Sequence, residues 1–256
     1  MCRSGYSRYP GCSLWEFRDD EAMCRRGFGR DGLCRDYPGT ICPEMNDWRS
    51  RLLAAVSPLE SGVRGLQVSG FRPPDSEAHR PSRTAAVLVA ILDMPEPELV
   101  LTRRADHLPQ HPGQVCFPGG AAEDNDRSAV QTALREAQEE IGLPPEAARP
   151  IGFLDRMDTI SDYRVLPVVA LVTPPVRWTL DTREVAEVFT VPLAVVLDRQ
   201  RYQGRAVERD GHRYTVWSLR WREYDIWGAT AAMLLTLIPR MEKPGEFEHP
   251  GIRSGT

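Results

Sequence analysis

The sequence predicts an α/β fold, a mixed β-sheet packed between helices. Three observations predict it. The apolar run Ala85–Leu92, rich in valine and leucine, has the length and composition of a buried strand. A second such run, Val165–Val172, lies far along the chain. Between them Ser128–Ile141 repeats apolar residues at helical spacing, and strand-like and helix-like segments interleave irregularly, with no internal repeat.

Taken in order, residues 1–44 stand apart. Leu14, Leu33 and Ile41 are their only large aliphatics, valine is absent, and seven arginines balance seven acidic residues. Such a segment buries too little apolar area to offset the entropy of ordering it. It reads as a disordered or non-native extension of a domain expected over residues 45–242, with a tail over 243–256. Trp48, Leu52, Leu53 and Val56 recur at helical spacing. Residues 57–83, rich in proline, glycine and serine, read as loop. Ala85–Leu92, a turn at 93–97 and Glu98–Thr102 read as a β-hairpin. Thr102–Gly120 holds three prolines, and a loop of that length in a compact domain is usually functional. The helix Ser128–Ile141 has cap candidates in Asp124, Asn125 and Asp126, and Gly142 with Pro144 closes it. Strands are expected at 151–154, 165–172 and 214–219, and over 184–189 leading to Val191, Pro192 and Leu193, where Pro192 suits the start of a short helix. A last helix is expected over Ile226–Ile238, ended by Pro239.

Composition narrows the function. The 256 residues suit one domain with extensions or two small ones, and 41% hydrophobic with 27% charged residues is the usual globular mix. The net charge is -4, and no arginine or lysine block offers a nucleic-acid footprint. No apolar run approaches the roughly 18 residues of a membrane span, and no signal-like h-region opens the chain. A cytoplasmic protein is the default expectation. Five of the six cysteines lie in the first 42 residues, none in the short C-x-x-C spacing of a zinc site.

The chemistry lies on the central helix. At about 100° per residue, Glu136, Glu139 and Glu140 share one face, while Val130, Ala133, Leu134, Ala137 and Ile141 form a separate apolar stripe. The helix can thus pack on a sheet and hold three acids together in a cleft. Three close carboxylates repel, and a hard divalent cation with oxygen ligands compensates them. A solvated acidic face is the bland alternative. Just upstream, Phe117-Pro118-Gly119-Gly120 ends the long loop, and paired glycines let backbone approach a diphosphate and turn N–H groups toward it.

These residues resemble the Nudix hydrolase box, G-x5-E-x7-R-E-U-x-E-E-x-G-U with U bulky and apolar. Arg135, Glu136, Glu139, Glu140, Gly142 and Leu143 match it, with the small Ala137 at the first U. The box is one residue longer than the family pattern. Counting back from Arg135, Arg127 holds the earlier glutamate position, and Asp126 stands beside it. The longer spacing, with Leu101-Thr102-Arg103-Arg104-Ala105, Gly113 and Phe117-Pro118-Gly119-Gly120, resembles the signature of the coenzyme A pyrophosphatase branch. Val100 and Pro109 depart from it. The likeness spans residues 46–240.

The resemblance implies the Nudix fold and hydrolysis of a diphosphate bridge by water. Glu136, Glu139 and Glu140 would bind Mg²⁺ or Mn²⁺. Glu139 and Glu184 are the candidate catalytic acids, with Glu187 the alternative to Glu184. Arg104, Gly113, Phe117, Gly119 and Gly120 would contact substrate, and Arg103 joins Arg104 as a candidate for its phosphate. That substrate would be coenzyme A or its thioesters, cleaved to adenosine 3′,5′-bisphosphate and (acyl-)4′-phosphopantetheine. Assembly as a homodimer is left open. Two other readings stand beside this: a Nudix enzyme for another nucleoside diphosphate derivative such as ADP-ribose, and a nucleotide sensor without catalysis. His107 and His111 read as loop-positioning residues, Cys116 as packing, and Trp217, Trp221 and Trp227 as core or interface anchors.

Overall fold

A computed structural model describes residues 48–61, 66, 68–70, 83–209 and 212–243. The extension expected over residues 1–44 lies outside them, as does the tail beyond Lys243. The elements below, apart from Trp48, belong to one unit, within residues 49–256.

Helix α1 (Trp48–Ala55) is followed by β1 (Val68–Gly70), β2 (Arg83–Leu92), β3 (Glu98–Arg104), β4 (Val115–Cys116) and β5 (Gly119–Ala121). Then come α2 (Ala129–Ile141), β6 (Ala148–Phe153), β7 (Arg156–Asp158), β8 (Tyr163–Val172) and β9 (Val185–Pro192). The chain continues through α3 (Leu193–Val196), β10 (Tyr202–Arg209), β11 (His212–Trp221), β12 (Tyr224–Trp227) and α4 (Ala229–Glu242). No helix among the described residues is long and apolar enough to cross a membrane.

The main sheet is mixed, as expected. Its path is β1-β7-β8-β2-β3-β4, with β5 also on β2, β6 on β8 and β9 on β3. The centre is the parallel pair β2 and β8, in register from Arg83↔Tyr163 to Leu92↔Val172. These two runs are almost wholly apolar because both faces are covered. Ala86, Leu88 and Ala90 of β2 pack with Leu166, Val168 and Ala170 of β8 against Ala133, Ala137 and Ile141 of α2. Val89, Ile91, Leu99 and Leu101, of opposite parity, are just as buried. Each fully buried aliphatic contributes about 1.5–3 kcal/mol by its removal from water.

The expected hairpin closes for only two pairs, Ile91↔Leu99 and Leu92↔Glu98. Beyond them β3, paired with β9 along its other edge throughout, leaves β2 for β4, and β5 takes its place on β2 through Ala85↔Ala121, Ala86↔Gly120 and Val87↔Gly119. The sheet therefore forks between β3 and β5. The loop joining the two arms is the long segment that the sequence singled out.

Other elements also differ from expectation. The loop expected over 57–83 contains β1, whose pairing with β7 is parallel. β10 and β12 flank β11 in a separate three-stranded sheet. β10 carries no periodic apolar signal, since Gln203 to Ala206 are exposed, and its strand form follows from its long pairing with β11. The last helix begins at Ala229, after Gly228 at φ 65°, and runs through Pro239 to Glu242. Ile226 belongs to β12, opposite Leu219.

Candidate active site

The site grows from the two ends of α2. Its N-cap is Ser128, whose side chain accepts the Gln131 N–H; the three residues expected to cap it do not. A serine cap is worth about 1 kcal/mol. Asp126 is diverted elsewhere. Its carboxylate takes Arg135 Nε at 3.2 Å and Nη2 at 2.9 Å, the Thr132 hydroxyl at 3.0 Å and the Glu123 N–H at 3.0 Å. These bonds, Arg135 foremost, hold it well below the usual carboxylate range. Asp126 thus braces Arg135 through the inserted residue, and Arg127 is exposed.

Arg135 is a hub. Nη2 also donates to the Ala121 carbonyl at 3.1 Å, and Nη1 donates to both Glu136 and Glu139 at 3.0 Å. Its bond to Asp126 raises its own pKa further, so it remains a cation throughout.

At the other end Gly142 closes the helix at φ 67°, in a Schellman-type turn with Leu143 N–H on the Ala137 carbonyl at 3.2 Å. The last carbonyls are not left to solvent. Ile141 accepts Thr179 N–H at 3.0 Å and Glu140 accepts Asp181 N–H at 2.9 Å. This strap carries the chain across the helix end to Glu184, close enough for its charge to raise the pKa values of Glu136 and Glu140.

The three helix acids separate into two kinds. Glu136 and Glu140 point at the fork, with side chains 16% and 5% exposed. Glu139, 60% exposed, lies outward on Arg135. Burial, with Glu136 and Glu184 adding to it, pushes Glu140 up to about 8 against the pull of Gly119 and Arg104. Burial also raises Glu136, against the pull of Arg135.

The glycines serve these acids. Gly119 N–H donates to Glu140 Oε2 at 3.0 Å. A Cβ on Gly120 would lie 2.4 Å from the Glu136 carboxylate. The expectation that they turn N–H groups to a diphosphate is thus corrected for Gly119, whose N–H is spent on Glu140. Phe117, expected at the substrate, is 2% exposed and anchors the loop from the core. Gly113, at φ 66°, makes a turn over Asp106.

Arg103 and Arg104 point to opposite faces, as consecutive strand residues must. Arg104 lies on the α2 face, where its charge acts on Glu140 and Cys116, and its Nε is buried without a hydrogen bond among the described residues. Arg103 turns away to Asp106 and Glu187, which corrects its pairing with Arg104 at one phosphate. Glu187 is held by the Tyr224 hydroxyl, so Glu184 is the acid beside the helix. Burial raises the Cys116 thiol to about 11, and it contacts the Thr102 hydroxyl at 3.3 Å. Trp227 is 42% exposed, so it is no core anchor.

No three His, Cys, Asp or Glu side chains among the described residues converge into a finished metal cage. The donor set nevertheless suits a hard cation. Two desolvated carboxylates and a third acid nearby concentrate negative charge on oxygen donors, offset in part by Arg135 at Glu136 and Arg104 at Glu140.

A solved structure, a NUDIX hydrolase from Alicyclobacillus acidocaldarius, is 23% identical and aligns over 61% of this chain and 91% of its own, with a TM-score of 0.38. The "Uncharacterized Nudix hydrolase NudL" of Cronobacter sakazakii is 43% identical over 175 residues, 68% of this chain and 91% of that protein. Its namesake in Salmonella paratyphi B is 44% identical over 155 residues, 60% and 81% of the two chains. The NUDIX domain family matches residues 82–210, the span that holds the fork, α2 and Glu184. The chain belongs to the Nudix hydrolases, metal-dependent pyrophosphohydrolases that act on nucleoside diphosphate derivatives.

Proposed function

We propose that this enzyme hydrolyses the diphosphate of coenzyme A or an acyl-coenzyme A, giving adenosine 3′,5′-bisphosphate and (acyl-)4′-phosphopantetheine. The observation that carries the reading is Arg104. It is the arginine of the Thr102-x-Arg104 signature, it faces Glu140, and its Nε is buried without a hydrogen bond among the described residues. A buried cationic donor left unmatched is costly, and a phosphate oxygen satisfies it with about 1.5–3 kcal/mol.

Glu136 and Glu140 would hold Mg²⁺ or Mn²⁺, with Glu139 or Glu184 completing the set. The cation, when bound, supplies charge neutralisation at the phosphoryl oxygens and acidifies water. The protein does the rest. Arg135 fixes Glu136, and Gly119 fixes Glu140. Arg104 takes an anionic oxygen of the substrate. Water attacks one phosphorus, its proton passes to Glu184 or Glu139, and the bond from that phosphorus to the bridging oxygen breaks. Gly113 and Gly120 border the substrate without side chains.

The test is turnover of coenzyme A, 3′-dephospho-coenzyme A and ADP-ribose with Mg²⁺ and with Mn²⁺, products separated by chromatography. Coenzyme A is expected to exceed its dephospho form in kcat/KM by about tenfold, about 1.4 kcal/mol, and Arg104→Ala to narrow that gap. Faster cleavage of ADP-ribose than of any coenzyme A species would reject the substrate and leave the diphosphate chemistry standing.

A further inference from the structure

The face of the sheet opposite α2 carries a chain of polar contacts that the reaction does not use directly. Arg103 Nη1 donates to Asp106 Oδ1 at 2.8 Å, and its Nε lies 3.7 Å from Glu187 Oε2. Glu187 is its cross-strand partner in β9. The other oxygen of Glu187 accepts the Tyr224 hydroxyl at 2.7 Å. Tyr224 comes from β12, in the small sheet, and lies flat on Phe189 of β9, ring centroids 3.6 Å apart and planes 4° from parallel. The bond to Glu187 pushes the phenol up to about 12, so it stays a donor.

The pairing of β3 with β9 slips at the next residue. Arg103 pairs with Glu187 but Arg104 pairs with Val185, leaving Ala186 as the extra residue of a bulge. Immediately beyond it Ala105 N–H donates to the Glu184 carbonyl at 2.8 Å. The bulge thus sits at the start of β9, two residues after Glu184, which stands in the turn before the strand. If Ala186 paired with Arg104 instead, Val185 would turn away from the α2 face and the turn that carries Glu184 would shift along β3 by one residue. Val185, buried in the core, resists that slip on the α2 side. On the far side the residues that resist it are Arg103, Glu187 and Tyr224.

We propose that Tyr224, Glu187 and Arg103 form a clamp that positions the active site from behind. It locks the bulge so that Arg104 of β3 and Glu184 of the turn before β9 stand beside Glu136 and Glu140. Tyr224 and Glu187 are positioning residues, and the inference rests on the roles given above to Arg104 and Glu184. It also assigns the small sheet a part in catalysis, since it delivers Tyr224.

Tyr224→Phe keeps the stack on Phe189 and removes only the hydroxyl, while Glu187→Gln removes the charge facing Arg103. The first measurement, on the full chain, is amide hydrogen exchange at Ala105, with Leu143 at the end of α2 as control. Both variants are expected to exchange at least tenfold faster at Ala105, with Leu143 unchanged. The second is kinetics on whichever diphosphate the wild type cleaves fastest, so failure of the coenzyme A assignment does not touch it. Tyr224→Phe is expected to lower kcat about fivefold at unchanged KM, and to lower it no further in a Glu184→Gln background. Unchanged Ala105 exchange in both variants overturns the clamp, whatever the substrate. So does a kcat loss equally large with and without Glu184, which would mark a general loss of stability. Faster exchange with wild-type kcat rejects its role in catalysis. A wild type that cleaves no diphosphate counts against the hydrolase reading alone, and Ala105 exchange still decides the clamp.

Discussion

Asp126 shows how one carboxylate can take over a role one position out of place. Two of its four accepted bonds fix Arg135, and Arg135 in turn fixes Glu136 and Glu139. Asp126→Asn should cost about 1–3 kcal/mol at neutral pH, the range for losing charged hydrogen bonds. Because its pKa is depressed in the folded protein, the stabilisation is present above the unfolded value, near 4, and fades as pH falls below it. Denaturant melts at neutral and at low pH check this; an equal deficit at both would refute it. Glu140 has the opposite sign. Because its pKa is raised from 4.5 to about 8, its own contribution to the stability of the metal-free protein is greatest below 4.5 and is lost as pH rises through 8. In chelator, Glu140→Gln should therefore melt higher than wild type above pH 8, and in Mg²⁺ the order should reverse. The same variant should lose at least 10²-fold in rate, about 2.7 kcal/mol. Thermal melts across pH with and without metal, beside turnover, decide both points. Asp126 was legible in the sequence as the acid next to the miscounted position. The burial that raises Glu140 was not, because helical projection gives direction and not depth.

At the scale of elements, the fork between β3 and β5 makes the cleft, and two adjacent glycines in β5 do unlike things there. Gly120→Ala would drive a methyl into the end of the Glu136 side chain, which can swing away. The fold should hold and the rate should fall about 10²-fold. Gly119→Ala would place its Cβ 2.5 Å from the Ala86 carbonyl oxygen and the Val87 Cα, backbone that cannot yield, at φ 152°. It should unfold the sheet edge. Circular dichroism melts and turnover of the two variants separate these outcomes; a stable, active Gly119→Ala would show that the β5 pairing is not what holds the loop. The helix α2 was readable in advance, since a stripe of small and aliphatic residues with a glycine stop leaves little choice. The short strands were not. β5 is three residues of glycine and alanine, and it exists because β3 has moved off the edge of β2.

Over the whole molecule, a buried ion pair joins the last helix to the sheet. Arg240 of α4 meets Asp155, between β6 and β7, at 2.8 Å, and reaches the Ala55 carbonyl at the end of α1 at 3.4 Å. Arg51 of α1 answers with two bonds to the Met241 carbonyl, at 2.9 and 2.7 Å. Arg240→Met leaves Asp155 without that cation in a buried place and should cost about 3–5 kcal/mol. Equilibrium unfolding in urea measures it. A loss under about 1 kcal/mol would show that the Asp155 charge is compensated from elsewhere. The active-site acids lie on another element, so the rate per folded molecule should stay near wild type.

What was fixed by local chemistry could be read along the chain. The apolar stripe and acid face of α2, its glycine stop, the buried runs of β2 and β8, and the paired glycines before the helix all act within a few residues, and so did the family likeness they carry. What required the fold was everything set by distance in space. The bulge at Ala186 opposite Arg104, the strap that brings Glu184 to α2, and the Tyr224 hydroxyl on Glu187 join residues dozens of positions apart. A strand edge has no sequence signature of its own partner. Hydrogen-bond pairing, burial and charge are properties of neighbours in space, and those neighbours exist only once the chain has closed upon itself.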